Sequence, residues 1–78
     1  MQVCRRRNTT LEHLELAHRH IAQNERHIAH QREIIAELER DSHDTDRHRQ
    51  LLYQMEDLYR FHIADRDRLE KELAVLSK

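Results

Sequence analysis

The sequence predicts an all-α protein: an antiparallel two-helix coiled-coil hairpin that dimerises into a four-helix bundle. Three observations predict it. A heptad repeat runs through Arg19-His20-Ile21-Ala22, Arg26-His27-Ile28-Ala29 and Glu33-Ile34-Ile35-Ala36, and a seven-residue apolar period marks helices packed side by side. The 78 residues contain no Gly and no Pro and are 37% charged and 37% hydrophobic. Helix breakers are therefore missing, and the balance suits long solvated helices better than a thick globular interior. Finally, the stretch from Asp41 to Gln50 has no aliphatic side chain, so a helix running through it would have nothing to bury, and the chain is expected to turn there.

Taken in order, residues 1–8 carry no pattern beyond Arg5-Arg6-Arg7 and read as a flexible basic tail, leaving 9–78 as the hairpin. Thr9-Thr10-Leu11-Glu12 has the spacing of a capping box, which starts the first helix at about residue 10 and carries it to about 41. Along that helix Leu14, Ile21, Ile28 and Ile35 form one column, with Ala22, Ala29 and Ala36 in a second column beside it. A loop is expected at about 42–44, because Asp41, Ser42, Asp44 and Thr45 bond their own backbone readily, and Asp44 or Thr45 can cap the second helix. A single continuous helix is the alternative, since no Gly or Pro enforces the break. The second helix, about 45–76, places Leu51, Leu52, Met55, Leu58, Tyr59, His62, Leu69, Leu73 and Leu76 on one face. Each helix would be roughly 45 to 50 Å long. One hairpin covers only part of so broad an apolar arc. The oligomer interface is therefore expected to draw on Leu14, Ile21, Ile28 and Ile35 and on Ala22, Ala29 and Ala36, together with Met55, Leu58, Leu69 and Leu73.

A polar line interrupts this arc. At about 100° per residue, His18, Glu25 and Arg32 fall between the Ile and Ala columns. With the loop centred near His43, Glu25 comes opposite His62 and Ile21 opposite Arg66. Such groups can fix register as a buried polar pair, or Arg32 and Arg66 can snorkel out along their stems. The sharper alternative is a metal-binding bundle, in which Glu25 and His62, each present twice in a dimer, hold Zn or Fe with His18 nearby. Glu15 and His18 have the Glu-x-x-His spacing of di-iron bundles, a spacing that 15 acids and eight His would also produce by chance. His13, His20 and His27 make a further seven-residue column on a flank, able to take up Zn or Ni weakly.

Several function classes are disfavoured. A chain without Gly cannot build a phosphate-cradling loop or a nucleophile elbow, so an enzyme is not expected. Arg5 to Arg7 could touch phosphates, making a nucleic-acid-associated protein a second alternative. The net charge of -1 leaves the remainder acidic, without the footprint of a nucleic-acid face. No membrane span or signal peptide is apparent, and the single Cys4 cannot form an internal disulfide, so a reducing cytoplasm is the expected setting.

The run Arg26-His27-Ile28-Ala29-His30-Gln31-Arg32-Glu33-Ile34-Ile35-Ala36-Glu37-Leu38-Glu39-Arg40-Asp41, joined by His43-Asp44-Thr45 and, later, by Ala64-Asp65-Arg66-Asp67-Arg68-Leu69, resembles a group of small uncharacterised bacterial helical proteins. Those proteins often have Gly where this chain has Ser42, which fits a loop there. The resemblance brings no activity, substrate, cofactor or ligand. The reading that results is a structural or adaptor module acting through self-association, most simply as a homodimer, with another protein as a further partner.

Overall fold

The computed structural model describes residues 2–77, with side chains from 5 to 77. Met1, Lys78 and the side chain of Cys4 lie outside the described residues. Two helices, α1 (Gln2–Arg40) and α2 (Asp46–Leu76), fold back on each other into a rod of 61 × 14 × 14 Å. The pairing is antiparallel. Arg6 meets Glu72 at the open end, at 3.8 Å, and Glu39 meets Arg49 beside the loop.

The loop has a definite chemistry. At the end of α1 the amide of His43 donates to Leu38 O at 2.9 Å and that of Ser42 to Glu39 O at 3.1 Å, the paired bonds of a Schellman motif. This motif needs a left-handed residue, and Ser42 supplies it at φ 61°, where Gly would carry no steric cost. The start of α2 comes at once. Asp44 Oδ1 accepts from the Asp46 amide at 3.0 Å, while the Thr45 hydroxyl takes Nε of Arg49 at 2.8 Å. Of the two expected caps, Asp44 satisfies a first-turn amide, and Thr45 is buried against the hairpin end instead.

The first helix begins earlier than the capping box implies. Residues 2–8 are helical and continuous with the rest of α1, so the basic tail is part of the helix. Thr9 shows why: its hydroxyl donates back to Arg5 O at 3.0 Å, a bond available only inside a helix and the alternative to capping. Arg5 to Arg7 are good helix formers, and the ion pair from Arg6 to Glu72 ties this first stretch to the last turns of α2.

Ile21, Ile28, Ile35, Ala17 and Leu69 form the core, with Thr10, Asn24, Gln31 and Thr45 buried among them. In α1 the inward positions are Thr10, Leu14, Ala17, Ile21, Asn24, Ile28, Gln31, Ile35 and Leu38, alternating four and three residues apart. This is a strict coiled-coil seam. In α2 the matching series is Thr45, His48, Leu52, Met55, Tyr59, His62, Arg66, Leu69, Leu73 and Leu76. The aliphatic column is therefore the one expected, but its companion is not: Ala22, Ala29 and Ala36 are exposed, and the column from Ala17 to Leu38 packs in their place.

Candidate functional site

The side chains able to do chemistry lie within the seam or on the two flanks of the rod. Inside the seam, Gln31 is 4% exposed; its amide donates to His48 O at 2.9 Å and lies 3.3 Å from His48 Nδ1. Asn24 is also buried, and its amide nitrogen has no partner. The buried Gln31–His48 pair disfavours shifted alignments, because a slip strands both groups against apolar neighbours, whereas the unpartnered Asn24 amide is a cost in this one. In the middle of α1 the polar seam residues are thus Asn24 and Gln31, whereas His18, Glu25 and Arg32 are exposed. The signal that distinguishes them is the four-three spacing, which selects the column lying three residues after each Ile.

Register also differs from expectation. The Tyr59 hydroxyl donates to Glu25 Oε1 at 3.4 Å, and His62 packs against His20, with ring centroids 5.0 Å apart. Glu25 is one turn away from the His62 level where the sequence put it. The turn from Asp41 to Thr45 is centred on His43 as expected, so the loop does not account for the difference; the seam side chains of the two helices interleave instead of meeting head-on. The expected set of Glu25, His62 and His18 is therefore not assembled. Among the described residues, no group of three His, Cys, Asp or Glu gathers at metal-binding distance. Arg66 turns to carboxylates on its own helix, Asp67 at 3.0 Å and Glu70 at 3.9 Å, as a snorkelling side chain does.

The flanks differ from each other. One carries the residues just after the seam positions and is closed by charge: Arg32 to Glu56 at 3.8 Å, Glu39 to Arg49, and the Glu25 to Tyr59 hydrogen bond. The exposed Ala column borders this flank. The other carries the residues that precede the Ile column in α1 and the matching positions in α2: His13, His20, His27 and Ile34 beside Leu51, Leu58, Asp65 and Glu72. Toward the open end it is polar. There Arg68 donates to Asp65 at 2.8 Å and lies 3.5 Å from Glu72. The hydrogen bond to Asp65 outweighs the opposing loss of hydration and, with the charges of Asp65 and Glu72 adding to it, holds the Arg68 pKa above its ordinary value. Toward the loop this flank is apolar, with Leu51 43%, Leu58 48% and Phe61 64% exposed.

The interface residues named from the sequence divide accordingly. Ile21, Ile28, Ile35 and Leu69 are buried in the hairpin, Leu14, Met55 and Leu73 are half-buried, and Leu58 with the three Ala stays at the surface. Arg5, Arg6 and Arg7 point in successive directions around one helix rather than forming a loose arm. Among the described residues no helix is long and apolar enough to cross a membrane. No protein family, curated protein or solved structure matches the chain.

Proposed function

We propose that the hairpin is a structural assembly module that pairs with a second copy of itself through the flank carrying Leu51, Leu58 and Phe61. The observation that carries this reading is the row of large apolar side chains left at the surface after α1 and α2 have packed. Scattered single apolar residues need no explanation, but these occur at seven- and three-residue spacings along one helix, which is how a second seam is written. Area supports the same reading. The chain exposes 6350 Å², against about 5100 Å² for a compact monomer of its 9.6 kDa mass. The excess is larger than the ~800 Å² per partner of a standard interface.

In this reading the Leu58 flank replaces the Ala column as the meeting surface, because the Ala flank is already bordered by ion pairs that a partner would have to desolvate. The module works by holding copies together rather than by catalysis, and a cytoplasmic setting fits its lone cysteine. Light scattering on the purified chain at micromolar concentration tests it. A mass of two chains is expected, falling to one in Leu58→Glu and Phe61→Glu and unchanged in Ala29→Glu. A monomeric wild-type chain, which a partner of different sequence would also produce, overturns the reading.

A further inference from the structure

The fold of the hairpin brings His20 of α1 against His62 of α2, with centroids 5.0 Å apart and ring planes tilted by 47°. This is neither a stacked pair nor an edge-to-face one. It does suit two imidazoles that share an ion. A metal–nitrogen bond of about 2.0 to 2.1 Å sets each centroid ~3.2 Å from the metal, and a tetrahedral angle between the two ligands then separates the centroids by ~5 Å. We propose that His20 and His62 bind a transition-metal ion of the zinc type, clipping α1 to α2.

The surroundings support a cation there. Phe61 and His62 meet edge to face, at 5.8 Å and 68°, a contact that restrains the His62 ring. The nearby guanidinium groups are both held by carboxylates: Arg68 by Asp65 and Glu72, and Arg66 by Asp67 and Glu70. Neither is left to repel an ion. Asp65, with His13 and His20, lines a hollow on the His20 side of the pair that His62 does not reach. His20 and His62 are each half-exposed, so water reaches the pair and completes the coordination. Two imidazoles select zinc, copper or nickel over magnesium and calcium, which prefer oxygen. His27 and His30, by contrast, are exposed on a single helix, where no packing holds their rings. Both imidazole ligands come from one hairpin, so the site does not need a second copy to supply them.

Thermal unfolding of the metal-free chain with and without zinc chloride tests the proposal. Zinc should raise the melting temperature by about 4 to 8 °C, magnesium should not, and the rise should vanish in His20→Gln and in His62→Gln while persisting in His27→Gln. Either no rise in the wild-type chain or an equal rise in the two variants overturns the site. A measurement that needs no variant accompanies it. Substoichiometric copper should broaden the imidazole proton resonances of His20 and His62 first, and broadening that begins at His27 and His30 would overturn it equally.

Discussion

The two flanks of the hairpin are built on the same heptads and finish differently. On one, the residues beside the seam are Arg32, Glu56, Glu39 and Arg49, which reach across and pair with each other. On the other, the corresponding places near the loop hold Ile34, Leu51 and Leu58, which have no charge to answer and remain partly in water. Exposed ion pairs are worth little in stability, yet they make a flank costly for another protein to cover. Exposed leucines do the opposite. The residues next to a seam therefore decide whether a hairpin stays alone on that side, even when the seam itself is shared.

The largest expected effect comes from the residue both flanks depend on. Ile28 is buried between them, and Ile28→Ala should cost about 2 to 5 kcal/mol in chemical denaturation; a loss below about 1 kcal/mol would mean that the helices do not pack on this column. Asn24, level with the same part of the seam and holding an unpartnered amide, works in the other direction. Asn24→Leu should gain about 1 to 3 kcal/mol in the same denaturation measurement, because a buried unsatisfied amide is removed, and a loss of stability would show that the Asn24 amide is satisfied. Ser42→Gly lies beyond the reach of either flank and should stabilise both alike, by about 1 kcal/mol in the same denaturation measurement, because the left-handed φ of 61° no longer crowds a Cβ. The smallest effect belongs to the charged flank. A double-mutant cycle on Arg32 and Glu56 should return a coupling of about 0.2 to 1 kcal/mol that fades in high salt, and a coupling that is insensitive to salt would show that this flank is more buried than the geometry has it.

Much of this architecture is legible in the chain. The Leu14 to Ile35 column, the break after Arg40, the capping role of Asp44 and the helical second half all come from spacing and from the chemistry of short polar side chains. The start of α1 does not, because Thr9-x-x-Glu12 has the form of a cap whether or not a helix already precedes it. Only the Thr9 to Arg5 bond distinguishes the cases. Which neighbour of the Ile column is buried is also ambiguous on a helical wheel. Ala22, Ala29 and Ala36 look apolar and Asn24 and Gln31 do not, so composition favours the wrong side, while the four-three geometry of a two-helix seam favours the right one. Within one hairpin Glu25 meets Tyr59 and not His62, because which side chains touch depends on how the two seams interleave.

The sequence alone therefore determined that this chain is helical and that Ile21, Ile28 and Ile35 line its packing face, and it pointed to a turn at about 42–44 while leaving one continuous helix open, because periodicity and turn chemistry are local properties. Tertiary structure decided which residues face one another: Gln31 with His48, Glu25 with Tyr59, His20 with His62. The way two seams interleave leaves each heptad unchanged and still decides which side chains touch. For that reason the pairing of side chains across the hairpin is a property of the packed molecule and not of either helix.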